Sequence, residues 1–293
     1  MMHVFELTDL GLMAYFLGME VKQSQNEVFI CQKKYAKEIL NKFQMEECKA
    51  TSTPMNQKEK LNKEDGTDKV DERYFRSLIG CLMYLTATRP DILFAISLLS
   101  RFMHCASEMH LIAAKRILRY IKGTVNYGVK FEECQSFKLC GFSYSDWAGS
   151  IDDMKSTSRY CFSLGSGIFS WSSKKQEIVA QSIAEAKFIA ATAAVNQVLW
   201  LKFFLCDLHM EQKDNTEIFV DNQAALAISH NSVFHGKTKH FNIKLYFLRE
   251  IQKNGEVTLV YCKSEDQLAD LFTKPLPVSK FELLRQKIGI YSS

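Results

Sequence analysis

Residues 141–153 read GFSYSDWAGSIDD, an alternating run that passes into a turn rich in Gly and Asp. Alternation of this kind fits a half-buried strand, and the small and acidic residues after it fit its end. Asp146 closes the strand, and Asp152 and Asp153 lie in the loop beyond. Whether these acids open a metal-dependent site is the question on which the chain turns.

Working outward, FKLCGFSYSD is followed by SRYCFSLGSG and IFSWSSK, short strand-like runs separated by Gly, Ser and Asp. A long helical pattern spans about residues 178–208, and the apolar strand EIFVDN comes next. Helical stretches at 222–229 and 239–253 precede the strand EVTLVYC and a terminal helix. Three strands, helix, strand, helices, strand, helix predict a mixed α/β layer fold.

The first half has a different texture. Residues 14–31 hold two apolar runs around the polar turn Gln23–Glu27, which predicts a hairpin. Tyr35, Ile39 and Phe43 recur at four-residue steps among lysines, the pattern of an amphipathic helix. The polar segment TSTPMNQKEKLNKEDGTDKVDE reads as a linker, and residues 73–123 read as helices, with Pro90 in a first turn and Gly123 at a C-terminus. The boundary between the halves is expected near 125–138.

A length of 293 residues allows two domains, on the usual roughly 100–200 residues each. The net charge of +4 permits a polyanionic partner without demanding one. Nine scattered cysteines with no C-x-x-C pair predict buried reduced thiols in an intracellular protein, without disulfides or zinc. The start, MMHVFELTDLG, lacks a cationic lead into an apolar core, so no signal peptide is expected. A membrane span is not expected either, since the best apolar run, around residues 81–102, is broken by Arg89, Pro90 and Asp91.

In the second half, Asp146, Glu185, Asp221 and Asp270 fall at predicted strand ends and helix starts, where side chains of an α/β sheet converge. A two-metal phosphodiester site needs several carboxylates around ions about 3.5–4 Å apart. The competing reading is four solvated carboxylates among 33 acids, and spacing alone does not separate the two.

The runs LTDLGLMAYFLGMEV, YFRSLIGCLMYLTATRPDILFAISLLSRFM, AAKRILRYIKGT, DWAGSIDDMKSTSRY, FSWSSKKQEIVAQSIAEAKFIA, VDNQAALAIS, HGKTKHFNI and QLADLFTKPLP resemble, in order, the C-terminal part of copia-type LTR retrotransposon Pol polyproteins. The resemblance implies an α+β remnant of a reverse transcriptase palm at residues 1–55. It implies a helical thumb or connection region at 56–130 and a ribonuclease H-like mixed five-stranded sheet with helices at 137–275. A C-terminal tail helix at 276–293 is expected to follow. The family's Tyr-x-Asp-Asp polymerase turn lies upstream of the LTDLG run, so the polymerase site is expected to be missing from these residues. Asp152–Asp153 match a polar loop instead.

The family activity so implied is cleavage of the RNA strand of an RNA/DNA hybrid by two Mg²⁺ ions, with Mn²⁺ as a substitute. The cytoplasm, in a virus-like particle, and the nucleus are the implied locations. Glu185, Asp221 and Asp270 match catalytic metal ligands. In the family the first strand usually ends Ser-Asp-Ala-Asp-Trp-Ala-Gly, and here Tyr144 holds the metal-bridging position. A phenol with a pKa near about 10 supplies no charge at neutral pH. Asp146 lies on the same strand face but two residues on, a displacement of roughly 6.6 Å, so it is a doubtful replacement. Lys187 also stands where the family's Thr-Glu-Ala-Glu-Tyr has its second Glu, and Asn242 and Tyr246 where Asp and His are common. Weak or absent hydrolysis is therefore expected, and an inactive remnant that at most binds nucleic acid is the rival reading, beside a purely structural one.

Lys115, Arg119 and Lys122 form a basic helical stripe suited to phosphates. Lys174, Lys175, Lys239 and His240 match family runs that face the hybrid. Trp147, Trp171 and Trp200 are expected to pack in the core or in turns rather than to stack on bases.

Overall fold

The computed structural model describes residues 11–59, 61–134, 137–230 and 242–293. The expected hairpin is present as β2 (Met19–Gln23) and β3 (Glu27–Cys31), with a short outer strand β1 (Tyr15–Phe16). The lysine-rich amphipathic segment forms α1 (Lys33–Lys42), which buries Ala36, Ile39 and Leu40. α2 (Glu72–Leu85) buries Phe75, Leu78, Ile79, Leu82 and Leu85 on one face. Its N-terminus is capped by the Asp71 carboxylate, which accepts from the Tyr74 amide at 2.6 Å.

Pro90 opens a 3₁₀ turn that leads into α3 (Leu93–Leu99). The helix expected to reach about Met103 instead tightens into a second 3₁₀ turn at Ser100–Phe102. α4 (Glu108–Gly123) ends at the expected glycine, and β4 (Tyr127–Glu132) follows.

The second half holds β5 (Leu139–Ser145), β6 (Thr157–Leu164), β7 (Gly167–Lys175), α5 (Ile183–Asp207), β8 (Thr216–Val220), α6 (Gln223–His230), α7 (Asn242–Lys253) and β9 (Val257–Tyr261). The sheet runs β7-β6-β5-β8-β9, with β5, β6 and β7 antiparallel and β8 and β9 parallel to β5. Parallel neighbours need a crossover; α5 supplies it between β5 and β8. This is the ribonuclease H-like mixed five-stranded sheet implied by the resemblance. α8 (Val278–Lys287) and β10 (Ile290–Ser292) complete the described chain.

The last 18 residues do more than form a tail helix. β10 pairs antiparallel with β4, which pairs with β3, so the C-terminus completes the first sheet in the order β1-β2-β3-β4-β10. Ile290 is fully buried there. The hairpin of residues 14–31 thus has partners on its β3 side, and the exposed apolar residues Leu12, Tyr15, Phe16 and Leu17 gather at its β1 side.

Two other expectations, on the linker and on Trp200, need correction. The polar linker is anchored, because Met55 and Leu61 are buried and the Lys63 amide donates to Asp152 at 3.1 Å. Among the described helices, α5 is long and apolar enough to cross a membrane, and 56% of its apolar window is buried, against the sheet and α6. Its Trp200 is exposed and stacked on Phe204 rather than packed in the core; Trp171 packs against the core, and Trp147 donates from Nε1 to Ala180 in a turn. None of the nine cysteines, all among the described residues, forms a disulfide, although Cys31 and Cys161 alone are buried and Cys206 is exposed.

The two halves share one core cluster that runs from α1–α4 to the turn Leu268–Phe272 and α8. The sheets meet where Gly167 faces the Lys130 carbonyl: a Cβ at Gly167 would stand 2.9 Å from that oxygen.

Candidate functional site

The parallel register of β5 and β8 pairs Phe142 with Phe219, whose rings stack 5.0 Å apart. Two residues further along, on the same face of each strand, stand Tyr144 and Asp221. Tyr144 lies opposite Arg159 across the antiparallel β5–β6 pair. Gln267 ties the centre together from below, with Nε2 donating to the Ser143 carbonyl at 3.1 Å and the Phe219 carbonyl at 3.2 Å. Its Oε1 accepts from the Ala269 amide, which fixes the 3₁₀ turn Leu268–Phe272. Asp270 therefore sits in a buried 3₁₀ turn, not at the start of the last helix as expected.

Each carboxylate already has partners. Lys187 Nζ lies 2.5 Å from Asp221 Oδ1, with the two side chains 11% and 5% exposed. The same ammonium stands 4.2 Å from the centroid of the Tyr144 ring. Asp270 accepts from Lys280 at 2.5 Å and from Thr273 Oγ1 at 2.8 Å, and Lys274 lies 3.4 Å away. Burial pushes the Asp270 carboxyl up, but these hydrogen bonds and charges outweigh it and hold it below the usual carboxylate range.

Asp146 is turned into the loop. Its Oδ1 accepts from the Thr157 amide at 2.5 Å, and Oδ2 lies 3.4 Å from the buried Arg159 guanidinium. Gly149 leaves room for this carboxylate, which a Cβ there would strike. Glu185 is buried at the start of α5: Ser182 Oγ accepts from its amide at 3.2 Å, and its carboxylate accepts from the Gln181 amide at 3.0 Å. Ser182 thus caps α5, and the Glu185 side chain reaches back past it to the residue before the cap.

Tyr144 remains a neutral phenol. Burial, and then the Asp270 and Asp221 charges, push it up to about 12. Its open side faces a cavity of about 390 Å³, walled by Asp146 and Arg159 from the sheet, Phe94, Leu98 and Arg101 from the helical layer, and Lys274.

Among the described residues, no group of three or more His, Cys, Asp and Glu stands where it could hold a metal ion. Hard divalent cations ask for several oxygen ligands, whereas here lysines and backbone amides take those oxygens. The residues present do not fit a pair of Mg²⁺ ions. Lys187, Lys280, Lys274, Arg159 and Gln267 complete the centre, and sequence reading singled out none of them as a site residue. The one available signal was Lys187 in Ala-Glu-Ala-Lys-Phe, which marks a charge reversal without showing where the ammonium goes.

The expected nucleic-acid contacts divide. Lys115 and Lys122 are exposed on α4, but Arg119 donates from Nε to the Lys49 carbonyl at 2.7 Å and so anchors a loop. Lys174 is exposed, and it lines a groove with Lys244, Asn196 and Gln197; Lys175 is paired with Asp153 at 2.6 Å. Lys239 and His240 lie outside the described residues.

Known proteins resemble the chain along most of its length. The family described as reverse transcriptase (RNA-dependent DNA polymerase) matches residues 1–57. The Retrovirus-related Pol polyprotein from transposon RE1 of Arabidopsis thaliana is 37% identical over 286 residues, covering 98% of this chain and 20% of that protein. The counterpart from transposon TNT 1-94 of Nicotiana tabacum is 35% identical, covering 99% and 22%. A foamy viral protease-reverse transcriptase solved with an RNA/DNA hybrid aligns over 89% of this chain and 30% of its own, with a TM-score of 0.44 and 12% identity. The chain belongs to the copia-type retrotransposon Pol family and spans about a fifth of the length of the two polyproteins.

Proposed function

We propose that the chain is a ribonuclease H-like piece of a retrotransposon Pol protein that binds nucleic acid and hydrolyses RNA/DNA hybrids weakly or not at all. The observation that carries this reading is Tyr144 at the strand end, with the Lys187 ammonium between its ring and Asp221. A neutral phenol and a lysine offer no ligands to a divalent cation, so the Mg²⁺-dependent chemistry of the family lacks its support here. Nucleic-acid binding rests on exposed lysines instead. Lys115 and Lys122 lie along α4, and Lys174 and Lys244 beside the groove between β7 and α5, where phosphates would replace solvent. On this reading the chain acts inside the cell, where the family's RNA/DNA hybrids arise.

The test is the purified chain with a labelled RNA/DNA hybrid in Mg²⁺ and in Mn²⁺. Salt-dependent binding without cleavage is expected. Metal-dependent cleavage by the native chain would overturn the proposal, and absence of any binding would reduce the chain to a structural remnant.

A further inference from the structure

We infer that Lys187 serves as a tethered cation in place of a divalent ion, so that this centre is neutralised without metal. The inference deepens the proposed function and rests on it.

Asp221 directly follows the interior strand β8, and its carboxylate is almost fully enclosed. An enclosed carboxylate needs a compensating charge or a set of donors. In this chain the compensating group is covalent. α5 begins beside the C-terminal ends of the strands, and Lys187 reaches from its second turn to Asp221. The remaining side of the ammonium is taken up by the face of Tyr144, within cation–π range. Ser264 Oγ, 3.4 Å from Asp221 Oδ2, completes the surroundings.

Tyr144 and Lys187 therefore work as a pair. The ring gives the ammonium an electron-rich wall that an acidic side chain at the same position would replace with a second full charge. The ammonium in turn makes a metal ion at Asp221 electrostatically unwelcome. Restoring a carboxylate at Tyr144 alone leaves the ammonium in place and is not sufficient to recruit a cation; both positions must change.

The experiment measures metal binding without nucleic acid, so that it stands apart from hybrid cleavage. Free Mn²⁺ is titrated by electron paramagnetic resonance, and thermal unfolding is followed in chelator, Mg²⁺ and Mn²⁺. The native chain and Tyr144→Asp are expected to take up no Mn²⁺ and to melt at the same temperature with and without metal. The Tyr144→Asp/Lys187→Glu chain is expected to bind Mn²⁺ about tenfold or more tightly than either, and to melt higher in its presence. Lys187→Gln provides a second arm: it should melt below the native chain in chelator and in Mn²⁺ alike, because Tyr144 still supplies no carboxylate. Uptake of Mn²⁺ by the native chain would overturn the inference. So would a double variant that binds no better, or a Lys187→Gln chain as stable as the native one. Hybrid cleavage by the native chain would defeat the functional reading instead, whatever the metal titration gives.

Discussion

The Lys187 ammonium and the Asp221 carboxylate form an ion pair 2.5 Å long at the end of the interior strand β8, with both side chains nearly enclosed. Removing one member of such a pair leaves the other as an uncompensated buried charge. Lys187→Leu is expected to destabilise the chain by about 3–5 kcal/mol. Tyr144→Phe keeps the ring face and is expected to cost under about 1 kcal/mol. Urea unfolding of the two variants checks the contrast, and equal losses would mean that the pair contributes little.

A second enclosed pair holds the helical layer to the C-terminus. Arg89 donates twice to Asp91, from Nε at 2.9 Å and Nη2 at 2.8 Å, and also to the Thr124 carbonyl at 2.8 Å. The Tyr120 hydroxyl donates to Asp91 at 2.6 Å, and Arg285 of α8 donates to that hydroxyl at 3.0 Å. Arg89→Leu and Asp91→Leu should each cost about 3–5 kcal/mol, and the double variant should cost clearly less than the sum. Additive losses in a denaturant series would show that the two residues are not coupled.

The C-terminal strand should matter to the hairpin at the other end of the chain. Ile290 is fully buried beside Val129. Ile290→Ala is expected to lower stability by about 2–4 kcal/mol. Amide exchange in β3 and β4 should rise with it. Unchanged protection in those strands would show that β10 does not support the first sheet.

Acid should unfold the chain through its paired carboxylates. Hydrogen bonds from Ser107 and Thr67 hold Asp65 at about 2. For Asp153 burial raises the pKa, but Lys175 and Ser150 outweigh it and also hold it at about 2. Asp270 is depressed as well. A carboxylate whose folded pKa is lowered stabilises the fold above its unfolded pKa and loses that contribution as pH falls through the folded one. The melting temperature should therefore be flat near neutrality and drop steeply between about pH 4 and pH 2. Asp270→Asn should lower the plateau and shallow the drop; an unchanged acid limb would assign no part of it to Asp270.

Binding to a hybrid should depend on the free lysines and not on the anchored basic groups. Lys174→Ala and Lys122→Ala are each expected to reduce the slope of log affinity against log salt by about 1 without loss of stability. Arg119→Ala should instead lower the melting temperature, because its guanidinium holds the Lys49 carbonyl. The opposite pattern would place the nucleic acid on another face.

Patterning made most of the elements legible. The hairpin, α1, α2 and α4 and the strands of the second sheet follow from local periodicity, since a buried face must repeat at the period of its own element. The closure of the first sheet by β10 was not legible, because Ile290 and Val129 are 161 residues apart and no local signal links them. The same holds for Arg119 and Trp200. A lysine-flanked arginine reads as a phosphate contact until the Lys49 carbonyl is found beside it, and a tryptophan in an apolar helix reads as core until the packing turns it to the outer face while Leu201 and Leu205 stay buried.

The sequence by itself determined the family and the mixed sheet, and it put a phenol, Tyr144, near the end of the first strand of that sheet. These are properties of single positions and short periods. Only the tertiary structure decided what became of the remaining carboxylates. Asp221 went to Lys187, Asp270 to Lys280 and Lys274, Asp146 to Thr157 and Arg159, and Glu185 to the start of its own helix. The physical reason is that an enclosed charge must find a counter-charge or donor within a few ångströms, and which group meets it is settled by how helices and strands pack.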